Sequence, residues 1–286
     1  MAVCDVCFRH CDISEDGLGF CGARTCSGGK VICANYGLVT SLALDPIEKK
    51  PLRRFHPGAK IISVGSYGCN LRCPFCQNHE ISWGEKALEF SAGAQYVSPE
   101  RLSDIAAAYR NKGNIGVAYT YNEPLIGYEY VLDTAKLVRD AGMINVMVTN
   151  GTAELSVLEK LAPYIDAMNI DLKGFTDGYY RDVLGGRLGT VKDFISEAVK
   201  VCHVEVTTLI VPGYNDTEDE MRALSSWISS LEDISGNVTG RDVPLHISRF
   251  FPRFHMTDAH ATDVDKVYRL AGVAGENLNY VYTGNC

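Results

Sequence analysis

The stretch "IISVGSYGCNLRCPFCQN", residues 61–78, runs a β-branched strand straight into a loop carrying Cys69, Cys73 and Cys76. From residue 61 onward, short β-branched runs alternate with longer helical patterns, the rhythm of βα units around a parallel sheet. After "IISVG" (61–65) come "IGVAYTY" (115–121), "INVMVT" (144–149), "DAMNIDL" (166–172), "HVEVTTLIV" (203–211) and "PLHI" (244–247), with "NYVYTG" offering a last strand. Helix punctuation falls between them. Ser98 and Pro99 suit N-cap and N1, with a stop at Gly113, and Gly142 ends a helix that reaches Asp140. Further helices are expected from about residue 153, behind Thr190 as a cap, behind the capping box Thr217-x-x-Glu220, and from about Thr262. The expected fold class is α/β, a partial (β/α)6 barrel of TIM type.

The chain has 286 residues, 46% of them hydrophobic, which suits one barrel-sized domain with a small appendage. We expect a cysteine-rich metal-binding module over 1–58 and the barrel over 59–286. A net charge of -8 argues against broad electrostatic binding to nucleic acid or anionic membrane. No apolar run approaches the roughly 20 residues that span a bilayer, and the start lacks a signal-peptide core, so a cytoplasmic location is expected.

Glu123, Thr149, Asn150, Asp171, Lys173, His246 and Arg249 all fall at or just past the carboxyl ends of expected strands, the face of a βα barrel that carries chemistry. The cysteine loop opens on the same face. Asp171 and Lys173, two apart, point to one side and can converge on a zwitterionic ligand; the competing reading is a solvated surface pair. On the fifth strand His203, Glu205 and Thr207 share a face taken as inward, where a glutamate needs a partner or a ligand.

Eleven cysteines with tight local spacings fit metal or redox chemistry better than a disulfide framework. Three thiolates on one short loop can hold three corners of a four-iron cluster and leave the fourth iron open to a small molecule. A zinc ion borrowing His79 is the alternative. Cys4, Cys7, Cys11 and Cys21 supply four more thiolates, enough for a tetrahedral zinc or an auxiliary iron–sulfur cluster, or else they are free buried thiols. Cys26 and Cys33 stand by as spares. Cys202 reads as core, and Cys286 as a frayed terminus.

The spacing C-x3-C-x2-C, with Phe75 before the last cysteine, is identified as that of the radical S-adenosylmethionine (SAM) superfamily. Within it the chain resembles the pyruvate formate-lyase activating enzymes, and more narrowly the radical SAM component of the AmmeMemoRadiSam system. The stretches "CDVCFRHCDISEDGLGFCGAR", "LALDPIEKKPL", "GCNLRCPFCQNHEIS", "TYNEP", "VMVTNG", "NIDLKGF", "TTLIVPGYND" and "HISRFFPRFHM" carry that likeness in order along the chain.

The resemblance implies that a [4Fe-4S] cluster on Cys69, Cys73 and Cys76 binds SAM, and that an outside donor such as flavodoxin or ferredoxin reduces it. SAM then yields a 5′-deoxyadenosyl radical, which abstracts hydrogen from a protein or small-molecule substrate. Phe75 would flank the adenine, and Glu123 or Asn122 would face the SAM amino group. Thr149 and Asn150, with Asp171 and Lys173, would lie near the carboxylate and ribose, and Thr207 and His246 would line the opposite side. "TYNEP" keeps the Glu-Pro of the Gly-Gly-Glu-Pro seen in many members but not its glycines. An electron-transfer or metal-carrier protein that never cleaves SAM is the alternative from another class.

Overall fold

The computed structural model describes residues 1–84, 87 and 93–286. The main sheet has eight strands: β1 (Ser41–Pro46), β2 (Lys60–Gly65), β3 (Asn114–Tyr119), β4 (Ile144–Thr149), β5 (Ala167–Asp171), β6 (His203–Ile210), β7 (Leu245–Arg249) and β8 (Val281–Gly284). Spatial order follows chain order from one edge to the other. β2 to β8 pair in parallel, while β1 runs antiparallel to β2. A doubly wound sheet reverses its strand order at a switch point, whereas an unreversed series winds as a barrel. β1 and β8 remain edges, so the barrel is partial.

The helix ends follow local chemistry. Ser98 Oγ accepts from Arg101 N–H ahead of the helix Pro99–Ala108, and after a 3-10 turn the chain reverses at Gly113 in the left-handed region. The helix Tyr128–Asp140 is likewise followed by left-handed Gly142. Thr217 caps Glu218–Ser229, but the reciprocal half of the capping box is diverted, for Glu220 Oε1 accepts instead from Phe175 N–H at 2.6 Å.

One expected start is corrected. Thr190 lies inside the helix Leu188–Ala198, which follows a π-helical stretch, Tyr179–Leu184, that no sequence signal announced. The last helix is Val264–Gly275, capped by Asp263. Thr262 is fully buried, and its hydroxyl donates to Ile210 C=O at 2.6 Å and accepts from Phe250 N–H, tying the end of β6 to the chain after β7.

The cysteine-rich module holds two short antiparallel pairs, Ala2–Val3 with Asp12–Ile13 and Arg24–Ser27 with Lys30–Cys33. β1 pairs along its whole length with β2, so residues 41–46, on the near side of the boundary expected at 58, are part of the barrel sheet. The chain between β1 and β2 plugs the barrel from inside. Ile47 and Leu52 pack with Ile61, Ala118, Val146 and Ala167, the interior-facing residues of β2 to β5.

Glu205 of β6 anchors this plug. Fully buried, it accepts from Arg53 N–H at 2.9 Å and Arg54 N–H at 2.7 Å, with His203 and His246 Nε2 at 3.0 and 2.6 Å. The inward glutamate anticipated from β6 thus finds its partners within the protein. Burial raises its carboxyl pKa, but the four donors outweigh burial and hold it down at about 2. A depressed carboxyl stabilises the fold above the ordinary carboxylate range, and that contribution is lost as pH falls through about 2. Glu205→Ala removes the acceptor shared by two backbone donors and two histidines and should cost about 3–5 kcal/mol. Urea unfolding at pH 7 checks this, and an unchanged midpoint would show that the plug needs no anchor.

Candidate active site

The cysteine loop leaves the carboxyl end of β2 through Gly68, whose φ of +93° and close approach to Cys21 exclude a side chain: a Cβ would lie 2.6 Å from Cys21 C=O. Cys69 N–H then donates to that same carbonyl at 3.2 Å. Arg72 braces the loop from within, its guanidinium donating to Cys69 C=O at 2.8 Å and its backbone N–H to Leu184 C=O at 2.8 Å. Beyond Cys76, the Asn78 amide donates to Tyr121 C=O at 2.7 Å. Three anchors on three segments therefore fix where the thiols point.

They point into a cavity of about 580 Å³. Cys69, Cys73, Phe75 and Cys76 line it from the loop; Asn122, Glu123, Thr149, Asn150, Asp171, Lys173, Thr207 and His246 line it from the strand ends. The expected cluster and SAM residues are thus brought to one cavity, and of the strand-end residues only Arg249 is missing from it. Strand register explains part of this, since Asp171, Thr207 and His246 are direct neighbours across β5, β6 and β7.

Burial, the largest cause, raises all three thiols: Cys69 well above the usual range, with Glu123 and Cys73 adding to it, Cys73 to about 11 against the pull of Lys173, and Cys76 less far. Holding three such thiolates together needs positive charge between them, which iron supplies. Cys69 Sγ already accepts from Leu71 N–H at 3.4 Å and the Asn150 amide at 3.7 Å, contacts that suit a thiolate ligand. The donor set therefore fits a cluster. It does not fit zinc with His79, whose ring stacks on Phe254 with centroids 4.3 Å apart and does not line the cavity.

Two of the expected ligand contacts also make framework bonds. Asn122 Oδ1 accepts from Ser66 N–H at 3.0 Å while its amide donates to Tyr67 and Gly68 C=O, clamping the approach to Cys69. Glu123 accepts from Thr149 Oγ1 at 2.6 Å, Asn150 N–H at 2.8 Å and Leu125 N–H at 3.0 Å. Burial lifts its carboxyl to about 7, with those three donors opposing. Both side chains position neighbours while lining the cavity. Arg249 leaves the site, its Nε donating to Thr262 C=O at 2.7 Å.

Asp171 and Lys173 form an ion pair at 2.7 Å on the cavity wall, partly buried rather than freely solvated. Desolvation alone would lower the Lys173 pKa, but Asp171 and then Cys73 outweigh it and raise it well above the usual value. The lysine is cationic across the neutral range.

Other lining residues escaped sequence reasoning. Glu48, Lys49, Pro51 and Arg53 come from the plug, and Thr283, Gly284 and Asn285 from β8 and its end. The charged string "IEKKPLRR", residues 47–54, is the signal that points to the plug residues. Tyr121 takes φ +74°, a left-handed conformation that glycine adopts freely, and it stands where the Gly-Gly-Glu-Pro pattern would put a glycine. Its hydroxyl donates to Asp45 at 2.9 Å, and Lys50 meets the same carboxylate at 3.0 Å.

A partial parallel barrel whose first βα loop presents three thiols to a polar strand-end cavity defines a class of cluster-bearing enzymes. The Radical SAM superfamily model matches residues 63–228. The chain belongs to the radical SAM superfamily. It is 39% identical over 285 residues to an uncharacterized protein of Methanocaldococcus jannaschii, covering 99% of this chain and 80% of that one. It is 24% identical over 181 residues to the pyruvate formate-lyase-activating enzyme of Clostridium pasteurianum, covering 62% and 73%.

Among solved structures, Streptococcus suis SuiB bound to S-adenosylmethionine superposes with a TM-score of 0.57 at 14% identity, covering 77% of this chain and 48% of SuiB. A domain of the Bacteroides vulgatus pyruvate-formate lyase-activating enzyme gives 0.50 at 13%, covering 59% and 99%. These likenesses are of fold. Among the described residues, no helix is long and apolar enough to cross a membrane.

Proposed function

We propose that this protein cleaves SAM reductively and uses the resulting radical to abstract hydrogen from a protein substrate, as an activating enzyme does. The observation that carries the reading is the convergence of the three loop thiols and the Asp171–Lys173 pair on one cavity of about 580 Å³. That volume suits a ligand of nucleoside size. Cys69, Cys73 and Cys76 would hold the cluster; when bound, it supplies the electron that splits SAM into methionine and a 5′-deoxyadenosyl radical.

The chain's own residues bind and orient. Lys173 and Asp171 offer opposite charges 2.7 Å apart to a zwitterionic amino acid end. Phe75, buried edge-on against Phe250, offers a rigid ring face to an adenine. Thr207 and His246 close the far wall, His246 held by Glu205. Glu123 and Asn122 position the strand end and the loop. The relatives named as activating enzymes support a protein substrate and an external reductant such as flavodoxin or ferredoxin. A four-thiolate site in the first module, argued below, completes the cofactor set.

Protein reconstituted with iron and sulfide under anaerobic conditions, reduced with dithionite and given SAM, should release methionine and 5′-deoxyadenosine in equal amounts. A cluster that cycles between redox states while SAM stays intact would instead favour an electron carrier.

A further inference from the structure

We propose that Cys4, Cys7, Cys11 and Cys21 hold an iron–sulfur cluster, a second redox centre set directly against the SAM loop. The four thiols come from separate points of the first module yet line one small cavity, with room for about one water molecule. A four-thiolate zinc, with Zn–S bonds of about 2.3 Å, draws its sulfurs into mutual contact and leaves no such void. Among the described residues, no three His, Cys, Asp or Glu side chains stand close enough to share one metal ion. That holds equally for Cys69, Cys73 and Cys76. Thiols that do not share one ion suit a cluster, in which each thiolate binds its own iron.

The surroundings favour an anionic group. Arg9 and Arg24 line the same cavity. Arg24 is 4% exposed, its terminal nitrogen meets Glu129 at 2.7 Å, and its Nε is buried without a partner. A cluster sulfide is an acceptor for such a donor. The spare cysteines do not compete, since Cys26 Sγ donates to Glu15 and Cys33 Sγ to Asn35, and neither lines the cavity.

The two sites share a wall. Cys21 C=O accepts from Cys69 N–H at 3.2 Å, and the Arg9 guanidinium, within the field of Cys7, Cys11, Cys21 and Cys69, donates to Asn70 C=O at 2.7 Å. Four protein ligands leave no iron open, so this centre carries electrons and does not bind SAM. One electron accepted here from a reduced flavoprotein or ferredoxin-type donor and given up to the SAM loop returns the centre to its oxidised state.

The test uses the full chain carrying C69A/C73A/C76A, in which the module's own residues are untouched. After anaerobic reconstitution it should keep about four irons and four sulfides, with an S = 1/2 spectrum on reduction that SAM does not alter. One zinc per chain and no sulfide, or no metal at all, would overturn the proposal. The second measurement rests on the SAM-loop reading above: the fully reduced parent should show two magnetically interacting clusters, and C4A/C7A only one. Two clusters without interaction would refute the shared wall. A cluster in the triple variant with none on the SAM loop of C4A/C7A would uphold this inference while sinking the proposed function.

Discussion

The variant carrying Ala at 69, 73 and 76 should form no 5′-deoxyadenosine above the level of reconstitution buffer alone. This is the largest effect the structure calls for, because each thiol would be a separate point of attachment and a cluster with one open iron would form only when all three are occupied. The fold should survive, since contacts that do not involve the thiols hold the loop: Arg72 N–H to Leu184 C=O and the Asn78 amide to Tyr121 C=O. A thermal midpoint within a few degrees of the parent, measured without metal, separates lost ligation from unfolding. Retained 5′-deoxyadenosine production would move the chemistry to other residues.

Lys173→Ala should lower the rate of SAM cleavage about a hundredfold, the scale on which a misplacement of order 1 Å acts. The lysine is held cationic chiefly by Asp171, and it lines the same cavity as the three loop thiols. Its removal also leaves Asp171 without its counter-charge, so Asp171→Ala and the double variant complete the comparison. If the pair engages SAM, all three should raise the SAM concentration needed for half-maximal rate while iron content stays constant. Parental rates at parental SAM dependence would reduce the pair to wall structure.

Much of this site was legible in sequence because strand ends repeat. Placing Asp171, Thr207 and His246 on successive expected strands sufficed to bring them together, and their register pairs them side by side. What sequence could not show is how a side chain spends its hydrogen bonds. Glu123 and Asn122 line the cavity where a ligand contact is expected, and their polar atoms also bond Thr149, Asn150, Leu125, Ser66 and Tyr67. The same limit hid the true partner of Glu220, because a capping box describes only one choice open to its glutamate. The plug escaped for a different reason: an irregular segment between two strands carries no periodicity, and its position is set by Glu205, some 150 residues away in the chain. The first module's four thiols were legible as a group, whereas the contacts that set them against the cysteine loop, Cys69 N–H to Cys21 C=O and Arg9 to Asn70 C=O, are ones that no spacing encodes.

Electron–nuclear double resonance of the reduced wild-type protein with SAM labelled by ¹⁵N at its amino group and ¹⁷O at its carboxylate tests the central claim most directly. If Cys69, Cys73 and Cys76 leave one iron open to SAM, both labels should show hyperfine coupling to the reduced cluster, and both couplings should be absent from C69A/C73A/C76A. A cluster that forms on the loop in protein saturated with SAM, yet shows coupling to neither label, would contradict it.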